Sequence, residues 1–123
     1  MVPKPGEVYL ATEEHGGGNH RLIVVSHEAF NRGTYVTVVP TTSQRFYERA
    51  KLKNCVVFTK NAFGCFDKSC VAQAEHIATI RKSNLLLSQG PVGVLSENKM
   101  REIIAAIGYA IGAECVPQTK KAE

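Results

Sequence analysis

The sequence has no long hydrophobic run. Its most extended nearly uncharged apolar stretch, Ile103 to Ala113, falls well short of the roughly 18 or more residues that a membrane helix needs, so no such span is expected. The opening Met-Val-Pro-Lys-Pro-Gly-Glu carries no apolar signal region; a cytoplasmic location is expected, with the cysteines as thiols and not disulfides. Cys55, Cys65, Cys70 and Cys115 form no C-x-x-C pair, and no H-x-x-x-H spacing accompanies them, so no metal site is expected. Also missing are a P-loop, a G-x-G-x-x-G opening a helix, a G-x-S-x-G and an H-E-x-x-H. Their absence removes nucleotide-dependent and metalloprotease chemistry, and no cofactor is expected. Gly16-Gly17-Gly18 lacks the following lysine and helix start of a phosphate-cradling loop, and reads as a flexible connection.

What is present fits one compact domain. The chain has 123 residues, 44% apolar and 21% charged, and a chain of this length buries roughly two thirds of its unfolded surface without a staple. A single domain over residues 1–115 is expected, followed by a polar tail over 116–123. The net charge of +4 is concentrated: residues 45 to 60 carry Arg45, Arg49, Lys51, Lys53 and Lys60 against Glu48 alone. Such a density attracts a polyanion, and the neighbouring rings of Phe46 and Tyr47 are of the kind on which single-stranded nucleic acid stacks. A solvated basic loop is the other reading of the same run.

Short β-branched runs dominate the first two thirds. Gly6 to Ala11, Arg21 to Val25, Thr34 to Pro40, Cys55 to Phe58 and Cys70 to Ala74 read as strands, with a glycine-rich connection over 13–19 between the first two. Ser26 to Gly33 reads as a short helical turn capped by Ser26, Ile77 to Leu87 as a helical turn and leucines, and Gly90 to Leu95 as a last strand. One long helix follows from Ser96, with Met100, Ile103, Ile104, Ile107, Ala110 and Ile111 on one face and with Gly108 and Gly112 allowing close backbone approach. Strands first and one closing helix predict an α+β fold: a small antiparallel barrel or sheet with short helices and one C-terminal helix.

The order of these segments resembles the PemK/MazF toxins over about residues 3 to 112. The likeness is carried by Pro5-Gly6-Glu7-Val8-Tyr9, a glycine-rich loop closing on Arg21, Leu22-Ile23-Val24-Val25-Ser26 with Phe30-Asn31, and Val38-Val39-Pro40-Thr41-Thr42-Ser43. Ser69-Cys70-Val71, then Glu75-His76-Ile77-Ala78-Thr79-Ile80-Arg81-Lys82 with Leu85, and the Met100 helix complete it. The first loop is shorter than the family's, Leu22 replaces a proline, Ser69-Cys70 replaces Asp-Ser, and His76 and Ala78 replace a glutamine and an arginine. The resemblance implies a sequence-selective, metal-independent endoribonuclease on single-stranded RNA, acting as a homodimer and paired with an antitoxin protein. The same fold also serves gyrase-poisoning toxins, so a non-enzymatic inhibitor and an RNA binder with weak catalysis stay open.

On this resemblance the catalytic residues are Arg21 and Thr42, with His20 a candidate beside them. Ser43, Gln44, Arg45, Arg49, Lys51, Lys53, Gly17 and Asn19 are the candidate RNA-binding residues. Cleaving RNA without a metal needs a group to take the 2′-hydroxyl proton, donors to stabilise the phosphorane, and an acid for the leaving 5′-oxygen. Arg21 suits the second of these roles, because its guanidinium is permanently charged and planar, but it is a poor proton carrier. Thr42, Ser43 and Gln44 add neutral donors. An imidazole such as that of His20 is the side chain fitted to proton transfer near neutral pH. It shares the Arg21 site if the chain has not yet become strand there, because successive strand residues face opposite ways.

Overall fold

The computed structural model describes residues 1–12 and 20–117. Seven strands form one curled antiparallel sheet in the order β4-β5-β3-β2-β1-β7, with β6 also paired to β3. They are β1 Glu7–Leu10, β2 Arg21–Val24, β3 Tyr35–Thr42, β4 Cys55–Phe58, β5 Cys70–Gln73, β6 Ala78–Arg81 and β7 Gly93–Val94. Two single-turn helices, α1 Glu28–Asn31 and α2 Phe46–Arg49, and a long helix α3, Glu97–Ala110, complete it.

β3 organises the sheet because it changes partners along its length. Val38–Pro40 pair with β2, while on the other side Tyr35–Val38 pair with β6 and Thr41–Thr42 with β5. Pro40, which has no N–H to give a ladder, falls in the gap between the β6 and β5 registers. Alternation then sends side chains into two cores, one on each face. Val8, Ile23 and Val39 join one with Phe58, Phe66 and Ile103, and Tyr9, Leu22, Val24 and Val38 join the other with Ile80 and Leu85. Burial on both faces is why the strands read as continuous apolar runs and not as alternating ones. Each fully buried Val, Leu or Ile contributes about 1.5–3 kcal/mol.

Helix α3 covers the first core with Ile103 and Ala106 and starts where Ser96 accepts from the Lys99 N–H at 3.2 Å. Lys99 reaches back from it to the Val57 carbonyl, 2.9 Å, capping an outward acceptor of strand β4, which pairs only with β5 in the sheet.

Several expectations are corrected. The expected apolar face of α3 is divided: Ile103 is buried, but Ile104 and Ile111 are exposed. Gly108 answers no close approach, since a Cβ there would meet only Ala113 at an ordinary 3.8 Å, and Gly112 lies beyond the helix at φ +85°, the left-handed value that ends it. His27, not Ser26, caps α1, its Nδ1 accepting from the Ala29 N–H. Ser26 is drawn away by the fully buried Asn31 and by the Thr37 N–H, both of which bond its hydroxyl. The helical turn expected within Ile77 to Leu87 is a 3₁₀ turn at Lys82–Asn84, but it is preceded by strand β6, which was not expected, and the last strand is confined to Gly93–Val94.

Candidate functional site

The first core's face runs out of apolar side chains at one end of β2 and β3. Ile23 and Val39 are paired and buried; two residues back along β2 the same face carries Arg21, and two residues on along β3 it carries Thr41. There the core gives way to a polar pocket of about 200 Å³ lined by both, and by His20, Thr42, Ser43 and Gln44. Thr41 is buried, and its hydroxyl donates to the Arg21 carbonyl at 3.0 Å, fixing the arginine's backbone to β3. Thr42 ends β3 at the pocket, where its Oγ1 accepts from the Gln44 N–H at 3.2 Å. That leaves the threonine's own proton to be donated.

The opposite wall is the segment leading into β5. Arg21 Nε donates to the Cys65 carbonyl at 2.9 Å, and Nη1 lies 3.4 Å from the Asp67 carboxylate. The Arg21 side chain is 17% exposed and that of Asp67 56%, so a well-held cation faces an open anion. The segment is fixed from beneath by Phe66, stacked on Phe58 with ring centroids 4.6 Å apart, and by buried Cys65. Gly93 of β7 is required for this packing: a Cβ there would stand 2.7 Å from Cys65 Cβ and 2.9 Å from the Phe63 carbonyl oxygen. Lys68 and Cys70 complete the lining.

Burial pushes the Cys70 thiol up to about 12; nearby Cys65 and Asp67 add to the rise and Arg21 opposes it. The Cys65 thiol is also raised, by burial, against the pull of Arg21. Neither thiol is disposed to act as a thiolate nucleophile. Among the described residues no group of three or more His, Cys, Asp or Glu side chains is placed to hold a metal ion. The permanent positive charge of the pocket comes from Arg21 and Lys68.

The pocket gathers Arg21, Thr42, His20, Ser43 and Gln44. His20 precedes the first residue of β2 and is exposed among the residues that line the pocket, while its carbonyl accepts from the Ala11 N–H at 3.0 Å in continuation of the β1–β2 ladder. The basic segment is not part of the lining. Arg45 is paired with Glu48 at 2.7 Å, Lys53 lies 3.9 Å from Glu114 and over the Tyr109 ring, and Lys51 is exposed. Arg49 stands behind the pocket, donating to the Gln44 carbonyl at 2.9 Å and bracing that turn. Gly17 and Asn19 lie outside the described residues. Thr41, Phe66, Asp67, Lys68 and Cys70 were not singled out from the sequence, which gives no sign that the segment before β5 meets Arg21.

Fold and pocket together define a small curled-sheet protein with an arginine-lined polar pocket at the end of one of its cores. A family model of PemK-like, MazF-like toxins of type II toxin-antitoxin systems matches residues 4–111, and the chain belongs to that family. Among solved structures, a mycobacterial endoribonuclease in complex with its cognate antitoxin matches at 23% identity and a TM-score of 0.72, covering 96% of this chain and 100% of that one. The Mycobacterium tuberculosis toxin MazF-mt6 matches at 20% identity and 0.67, covering 85% and 95%. A MazE-MazF structure from Deinococcus radiodurans matches at 17% and 0.70, covering 91% and 97%. At these identities the likeness is one of fold. No curated protein matches the sequence.

Proposed function

We propose that this toxin is a sequence-selective endoribonuclease that cleaves single-stranded RNA by attack of the 2′-hydroxyl on the adjacent phosphate, without a metal ion. The observation that carries the reading is the convergence of the Arg21 guanidinium with the Thr42 hydroxyl and the Ser43-Gln44 turn in one open pocket. A phosphorane accumulates negative charge on its non-bridging oxygens, and donors held in place before it forms stabilise it most. Arg21 is held in that way, with its backbone tied to Thr41 and its Nε to Cys65. Thr42 supplies a neutral donor to a non-bridging oxygen. His20 at the pocket is suited to protonate the leaving 5′-oxygen.

Exposed Tyr47 and the cations of the 45–53 segment provide sequence-tolerant stacking and phosphate contacts outside the pocket. The endoribonuclease and MazE-MazF neighbours support an antitoxin protein as partner, and the proposal includes a homodimer acting in the cytoplasm. Among the described residues no helix is long and apolar enough to cross a membrane. The test is incubation with a long single-stranded RNA and with DNA of the same sequence, both in EDTA. Cleavage of RNA alone is expected, because DNA lacks the nucleophile. Intact RNA across several sequences, with the protein folded, overturns the proposal.

A further inference from the structure

An arginine and a threonine stabilise charge but leave the first proton of the reaction without a destination. The guanidinium is a poor base because it stays protonated under all ordinary conditions. The Thr42 hydroxyl accepts from Gln44 and is no stronger a base than the hydroxyl it would deprotonate. Among the described residues lining the pocket, Asp67 supplies the only carboxylate. It lies 3.4 Å from Arg21 Nη1 and projects from a segment anchored by the Phe66–Phe58 stack and by the Cys65 carbonyl. A phosphate bound to the guanidinium brings its own 2′-oxygen into the neighbourhood of that carboxylate.

We infer that Asp67 is the general base of the reaction, and this rests on the ribonuclease reading above. The 2′-hydroxyl proton passes to an Asp67 carboxylate oxygen as the O2′–P bond forms. The P–O5′ bond then breaks, and the 5′-oxygen leaves with a proton from the His20 imidazolium. The products are a 2′,3′-cyclic phosphate and a 5′-hydroxyl; Asp67 returns its proton to solvent, which its 56% exposure permits, and His20 regains one. Carboxylate, guanidinium and imidazole thus act in turn as base, charge stabiliser and acid. The charged and titratable groups around Asp67 are Arg21 of β2, Cys70 of β5, and Lys68 and His20 in the same pocket.

The test compares wild type, Asp67→Asn and Asp67→Ala on a long single-stranded RNA in EDTA, with single-turnover rates from pH 5 to 9 and binding measured separately. Asparagine keeps the size of the side chain and an oxygen towards Arg21 but cannot take the proton. The expected result is a loss of about 10²–10⁴-fold in rate for Asp67→Asn with RNA binding retained. Formate should restore activity to Asp67→Ala in proportion to its concentration. Wild-type rate in Asp67→Asn overturns the proposal. So does a loss in both variants that resists formate and weakens RNA binding, for that makes Asp67 a positioning residue of Arg21. Wild-type protein that cleaves no RNA overturns the ribonuclease reading, and Asp67's role with it, whereas the other outcomes bear on Asp67 alone.

Discussion

Two adjacent threonines at the end of β3 have different duties. Thr41 is buried and donates to the Arg21 carbonyl, whereas Thr42 is half-buried, with its hydroxyl at the pocket. Thr41→Val should cost about 1 kcal/mol through the lost hydrogen bond and lower the melting temperature by several degrees. Thr42→Ala should leave the melting temperature nearly unchanged and slow RNA cleavage by about 10²-fold, the cost of one oxyanion donor. Thermal unfolding and cleavage rates on the same preparations separate the two effects. Arg21, Thr42, Ser43 and Gln44 were legible in the sequence because they sit within or beside short segments of family-like pattern, and His20 because it is adjacent to Arg21. Asp67 and Lys68 were not, because their placement depends on a segment meeting Arg21 across 44 residues of chain, at Cys65. The basic segment was visible as charge density. What the density did not reveal is that Arg45, Arg49 and Lys53 are engaged by Glu48, the Gln44 carbonyl and Glu114.

Most of the sheet could be read at the level of elements because doubly buried strands are unbroken apolar runs. β6 escaped because only Ile80 of its four residues is buried; its strand character comes from pairing with β3 and not from its own pattern. The start of α3 at Ser96 was legible from the cap, and Ser96→Ala should cost about 1 kcal/mol of stability, read as a lower denaturant midpoint. Gly93→Ala should be worse and differently expressed. A Cβ at 2.7 Å from Cys65 displaces the segment that holds Arg21, so cleavage should fall in molecules that remain folded. Nothing in the sequence around Gly93 announces this, since its neighbour is distant in the chain.

Taken whole, the molecule is a sheet with a core on each face and its polar pocket where one of those cores ends. Burial of Cys70 makes that design sensitive to alkali. The folded thiol is pushed up to about 12 from an ordinary 9.0, so between these values the unfolded chain gives up its proton first and stability falls as pH rises. Urea midpoints at pH 8 and pH 10.5 should show the loss in wild type and a shallower one in Cys70→Ala. The proposed function makes Arg21 the residue that stabilises a metal-independent transesterification. The most direct test incubates wild type and Arg21→Ala with a long single-stranded RNA in EDTA and determines the fragment ends by mass spectrometry. Fragments ending in 2′,3′-cyclic phosphate from wild type, and none from a folded Arg21→Ala, are predicted. Equal cleavage by both proteins, or fragments ending in 3′-hydroxyl groups, would contradict it.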